Sequence, residues 1–255
     1  MTRFSANLGF LWTDRSLPDA VRAAADAGFV AVELHWPYTT DPRDLAAALN
    51  ETGLPCLSLN TVRGDVAAGE FGMAVLPGRA DEARDSVTRA LDYAAAIDAR
   101  FVQVMAGKID DPDALARFAD VLSFACEAAA QAGREVLIEP LNRHDAPGYA
   151  LSTIGQAMDV IAAVGHPALR LNFDIYHVAR TEGDLITRFA AVQDKIGHVQ
   201  FAAVPDRGVP DHGEVDLPWV FQQLETLGYD APLGAEYKPG DQPTGDTLGW
   251  LAPYL

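Results

Sequence analysis

Eight short apolar runs recur along the chain, each followed by a stretch of helical periodicity, at a repeat of roughly 30 residues. Strands are expected over 4–10, 30–34, 54–59, 101–105, 135–139, 169–173, 197–201 and 233–236. Helices are expected over 17–27, with Ser16 as N-cap and Gly28 just beyond its end, and over 41–52, where Pro42 suits the first turn. Further helical segments fall at 79–97, 111–133, 152–164, about 184–192, 218–227 and 246–254. A glycine-containing loop, 63–78, interrupts the rhythm. Strand–helix alternation requires parallel pairing through crossovers, and eight such units in 255 residues match a closed barrel. The fold expected is α/β, a single (β/α)8 TIM barrel over residues 1–255. A doubly wound open sheet is the competing architecture. The turn after the first strand, Gly9-Phe10-Leu11-Trp12-Thr13, lacks the glycine pattern such sheets use to cradle phosphates.

The chain holds 36 acidic and 19 basic residues, for a formal charge of −17. That field repels nucleic acid and anionic membrane surfaces, and an anionic substrate would need local cations. Two cysteines, Cys56 and Cys126, are too few for a disulfide framework or a four-thiolate zinc site and are expected to be small buried residues. No run approaches the roughly 20 apolar residues of a membrane span, and the first residues have no signal core, so a cytoplasmic location is the expectation. Homo-oligomerisation is left open.

Barrel chemistry sits at the C-terminal strand ends. The fifth strand ends at Glu139, the sixth at Asp174, the seventh near Gln200 and the eighth at Glu236. Three carboxylates on one rim repel one another and need a counter-charge. An all-oxygen ligand set suits Mg²⁺ or Mn²⁺ better than zinc. Helix caps or rim salt bridges are the alternative use of the same residues. His177 follows Asp174 by three residues and leans over the same rim. His35 and His198 share strand parity with Glu33 and Gln200, and so are candidates for the barrel interior. Arg207 offers a planar fork to a substrate carboxylate or hydroxyl pair, with a structural ion pair as its equal alternative, and Lys238 shares strand parity with Glu236. Trp12, Trp36, Tyr149 and Phe173 are candidates for shaping a pocket.

These residues lie in segments that resemble the hydroxypyruvate isomerase family, within the xylose isomerase-like barrel superfamily. The resemblance runs through 4–8, 31–37, 59–61, 63–65, 138–142, 173–177, 203–207 and 234–238, and covers essentially the whole chain. It implies a divalent metal held by Glu139, Asp174, Gln200 and Glu236, with Glu139 and Glu236 also the catalytic acid–base pair. It implies substrate binding by His177 and Arg207; Lys238 is a third candidate contact on its strand parity alone. The expected reaction interconverts hydroxypyruvate and tartronate semialdehyde through a cis-enediolate. A 2-oxo-tetronate isomerase or a ketose 3-epimerase is the alternative. The related epimerases carry His where this chain has Gln200, which favours the hydroxypyruvate branch. A repair nuclease would need more histidines and a basic face, and a Schiff-base aldolase would rely on Lys238 in an apolar pocket.

Overall fold

The computed structural model describes residues 2–255. Eight parallel strands appear: β1 Phe4–Asn7, β2 Ala31–Glu33, β3 Ser58–Asn60, β4 Phe101–Gln103, β5 Glu135–Ile138, β6 Leu169–Asp174, β7 Ile196–Phe201 and β8 Leu233–Ala235. Their order is β2-β1-β8-β7-β6-β5-β4-β3. The last seam closes through backbone bonds: Val32 donates to Pro55 (3.0 Å), Leu57 to Val32 (2.8 Å) and Leu34 to Ser58 (2.9 Å). The result is a single (β/α)8 TIM barrel, as the alternation requires.

The helices are α1 Leu17–Asp26, α2 Pro42–Thr52, α3 Ala80–Ala96, α4 Ala114–Gln131, α5 Ile154–Val164, α6 Ile175–Thr181, α7 Leu185–Val192 and α8 Leu217–Thr226. Ser16 and Asp41 accept from Asp19 and Arg43 as side-chain N-caps, and both helices open with proline at their first turns. Two departures from the periodicity matter for function. β1 stops at Asn7, where Phe10 and Leu11 donate back to the Asn7 carbonyl and turn the chain over the barrel mouth. The short helix α6 directly follows β6. Asp174 caps it by accepting from Tyr176 at 2.8 Å, a local bond that hydrophobic periodicity does not register.

The barrel interior is polar. Glu33 is fully buried. Burial pushes its carboxyl up, but His198, 3.0 Å away, and Ser5, which donates at 2.5 Å, outweigh that and hold it below the ordinary carboxylate range. Gly234 makes room for this cluster, since a β-carbon there would lie 2.3 Å from Glu33 and 2.8 Å from His198. No helix among the described residues is long and apolar enough to cross a membrane.

Candidate active site

Each carboxylate read at a strand end arrives at the C-terminal mouth. Glu139 follows β5, Asp174 ends β6, and Glu236 follows β8; all three are buried. Gln200 lies in β7, paired in register with Asp174 on one side and Gly234 on the other. A cavity of about 310 Å³ opens above them, with Glu139, His177, Arg207, Glu236 and Lys238 in its wall.

Three of the nine described buried polar atoms without a hydrogen-bond partner meet here: Glu139 Oε1, Asp174 Oδ2 and His177 Nε2. Ligand atoms of these three residues lie within 4.8 Å of one another. His177 Nε2 is 4.0 Å from Glu139 Oε1 and 3.6 Å from Asp174 Oδ2. An unsatisfied buried polar group costs about 1–3 kcal/mol, so three brought together make a place that could bind a further group. The backbone N–H of Asn142 donates to His177 Nδ1 at 3.0 Å. Neutral His177 therefore carries its proton on Nε2 and presents a donor to the cavity rather than a lone pair. Burial drives its pKa down to about 3, helped by Arg207, which keeps the ring neutral.

Glu236 is more heavily engaged. Its Oε1 lies 2.7 Å from His35 Nε2 and accepts from Asn7 at 3.1 Å, and its Oε2 accepts from Arg207 at 2.5 Å. Burial raises its pKa, and Arg207 with His35 more than reverses this, holding it below the ordinary range. Glu139 stands well above it: burial acts first, then repulsion from Glu236 and Asp174. Asp174 is also raised, by burial ahead of the opposing pull of Arg207. One guanidinium thus fails to balance three buried carboxylates, an excess of negative charge that could hold a cation.

The two glutamates are joined beneath the cavity. Gln103 donates to Glu139 (2.6 Å), and Asn172 donates to both Gln103 (2.9 Å) and Gln200 (2.6 Å). Gln200 donates to Glu33 (2.7 Å), which accepts weakly from Asn7 (3.5 Å), and Asn7 reaches Glu236. The Gln200 oxygen accepts one bond from Asn172, leaving its second lone pair. Arg207 adopts φ 57°, a left-handed conformation that strains a non-glycine residue, and is pinned there by its N–H to Ala203 and its carbonyl to Lys238.

His35, Gln103, Arg63, Lys108 and Phe71 also reach the cavity and were not singled out from sequence as site residues. Gln103 had a readable signal, as the polar end of an apolar strand. Of the four aromatic candidates Trp36 lines the cavity, whereas Trp12, Tyr149 and Phe173 are buried in the core. The loop 63–78 is stitched to the loop after β4 by a bridge between Gly72 and Ala106 and by Val75 donating to Ala106 at 3.0 Å.

A family model described as xylose isomerase-like TIM barrel matches residues 21–254. The 2-oxo-tetronate isomerase of Cupriavidus necator is 42% identical, covering 100% of this chain and 99% of its own length. The hydroxypyruvate isomerase of Escherichia coli is 36% identical over 100% of both. A solved structure from Brucella melitensis, described as an AP endonuclease of family 2, superposes with a TM-score of 0.95 at 38% identity, covering 100% of this chain and 99% of that one. The chain therefore belongs to the xylose isomerase-like TIM barrel family, in its hydroxypyruvate isomerase branch, and is an isomerase.

Proposed function

We propose that the enzyme moves a carbonyl between adjacent carbons of a small hydroxy-oxo acid, with hydroxypyruvate and tartronate semialdehyde as the pair. The observation that carries this reading is the convergence of Glu139, Asp174 and His177 beside Glu236, at a cavity of about 310 Å³. Glu139, Asp174, Gln200 and Glu236 would hold the divalent cation, Mg²⁺ or Mn²⁺. The orphaned Glu139 and Asp174 oxygens and the excess of buried negative charge fit that donor set. Such a cation would polarise the substrate carbonyl and acidify the adjacent C–H.

The chain's own groups supply the rest. One glutamate of the pair Glu139 and Glu236 takes the proton from the hydroxymethyl carbon, giving the cis-enediolate. The other returns a proton to the former carbonyl carbon, while the hydroxyl proton passes from the first oxygen to the former carbonyl oxygen. Each such transfer is typically worth about 10²–10⁴-fold. His177 offers its Nε2–H to a substrate oxygen. Arg207 spends Nη2 on the Glu236 carboxylate and Nε on its backbone carbonyl, lies against the Phe10 and Tyr176 rings, and lines the cavity. Lys238, exposed at the mouth, adds positive potential. A 2-oxo-tetronate substrate is the second reading, favoured by the 42% identity to the Cupriavidus enzyme.

The test is a substrate panel of hydroxypyruvate, 2-oxo-tetronates and free ketoses, assayed after EDTA treatment and again with Mn²⁺ or Mg²⁺ restored. Metal-restored turnover of an acid, with solvent deuterium entering the product, is expected. Activity untouched by chelation, or product free of deuterium, would sink the mechanism.

A further inference from the structure

Twelve of the nineteen basic side chains form an ion pair among the described residues. Arg22, Arg79, Arg100, Arg117 and Arg134 each bind a carboxylate. Arg63 and Lys108 do not. Both are partly buried, both line the active-site cavity, and among the described residues neither has a carboxylate within ion-pair distance. They flank a pair of aromatic rings instead. The Arg63 guanidinium sits 3.8 Å from the Trp36 ring centre, Trp36 and Phe71 meet edge-on at 6.3 Å, and the Lys108 ammonium lies 5.6 Å from Phe71. Cations held against rings in a partly desolvated wall keep their charge available to an incoming anion.

The wall is rigid for a backbone reason. Gly72 and Gly107 face each other, with φ 112° and 118°. A β-carbon on Gly72 would stand 2.5 Å from the Met105 carbonyl oxygen, and one on Gly107 would stand 2.7 Å from the Gly72 oxygen. Gly72 also donates to the Arg63 carbonyl at 2.8 Å. The loop bearing Arg63 and Phe71 is thereby fixed to the loop bearing Lys108. Arg207 stands differently, bonded to Glu236 and 3.6 Å from Asp174. A carboxylate arriving at Arg207 meets two protein carboxylates, whereas one arriving between Arg63 and Lys108 meets positive charge with no protein ion-pair partner.

The geometry points to Arg63 and Lys108 as the subsite that takes the substrate carboxylate and separates small acids from neutral ketoses of the same skeleton. The assignment rests on the isomerase reading of the cavity. Arg207 then serves the hydroxyl and carbonyl end and the orientation of Glu236.

The test replaces Arg63 and Lys108 by methionine, singly and together, and compares hydroxypyruvate with dihydroxyacetone, in which a hydroxymethyl group stands where the carboxylate was. Loss of one charge-assisted contact should raise KM for hydroxypyruvate about 30-fold. The ratio of kcat/KM between the two substrates should fall by a similar factor, and Lys108→Arg should recover most of it. An unchanged KM, or equal losses on both substrates, overturns the assignment. Calorimetry with tartronate reads the subsite without turnover: about 30-fold weaker binding to Lys108→Met supports it and equal binding overturns it. A wild-type protein inert on every acid refutes the isomerase reading, while the tartronate comparison still decides the subsite.

Discussion

Arg207 donates from Nη2 to Oε2 of Glu236 at 2.5 Å, and both groups are largely withdrawn from solvent. The bond makes the arginine an electrostatic support of the carboxylate as much as a contact for substrate. Its removal leaves a buried carboxylate with only His35 and Asn7, and repulsion from Asp174 and Glu139 rises. Arg207→Ala should lower kcat by about 10²-fold or more, with dihydroxyacetone and hydroxypyruvate affected alike. Steady-state kinetics on both substrates check this. An effect confined to KM would return Arg207 to the purely substrate-binding role that the family resemblance implies.

The buried carboxylates set the pH dependence of the cation-free protein. Glu139 and Asp174 have folded-state pKa values raised above their ordinary ones, so they stabilise the fold at low pH and lose that contribution as pH rises through the raised values. His177 and Glu236 are depressed, so their contributions disappear as pH falls, below about 6.5 and 4.5 respectively. From about pH 6.5, where His177 is neutral in both states, to just past the Asp174 value of about 7, the first pair governs the site. The Tm of EDTA-treated protein should therefore decline across that window, and Mn²⁺ should flatten the decline. Differential scanning fluorimetry with and without Mn²⁺ reads it. A Tm that climbs with pH in the chelated protein contradicts this charge balance.

The Gly72–Gly107 contact should tolerate no side chain. Alanine at either position meets backbone within 2.7 Å and requires a left-handed φ. Each substitution should cost about 1–3 kcal/mol. It should also raise KM for acids by displacing Arg63 and Phe71. Urea denaturation gives the first number. Gly53→Ala is the control for left-handed φ alone, because nothing lies within 4 Å of a β-carbon there.

Neither thiol takes part in the chemistry. Cys56 and Cys126 are buried, and burial pushes the Cys126 thiol up to about 12 and Cys56 higher still. Native protein at pH 8 should react with no disulfide reagent over minutes, and two thiols should appear after denaturation. A fast-reacting native cysteine would show that α4 or the β3 seam opens readily.

The barrel and its carboxylate rim were legible because both are written in short-range patterns. Apolar strands that end in Glu139, Asp174 and Glu236 stand out against their own neighbours. What stayed hidden depends on distances the sequence does not encode. α6 is only a turn or two long and owes its start to one Asp174 cap rather than to an apolar stripe. Arg63 and Lys108 belong to loops 45 positions apart in the chain and meet only because two glycines let the backbones touch. His35 shares its strand parity with Glu33, yet its partner Glu236 lies 201 positions away.

The amide chain beneath the cavity supports a final expectation. Asn172 is buried and holds Gln103 and Gln200 at once, so it sets the height of the two amides that address Glu139 and Glu33. It touches no substrate and acts through others. Asn172→Leu should strand the Gln103 and Gln200 oxygens without their donor, at a cost of about 1–3 kcal/mol in stability. Catalysis should suffer separately, because a shifted Glu139 misplaces one end of the proton transfer: kcat should fall about tenfold with KM little changed. Asn172→Asp keeps the shape but adds a fourth buried carboxylate near Glu139, Asp174 and Glu236, and should fare worse at pH 8 than at pH 6. A purely structural role for Asn172 would show the stability loss without a change in kcat or in its pH profile.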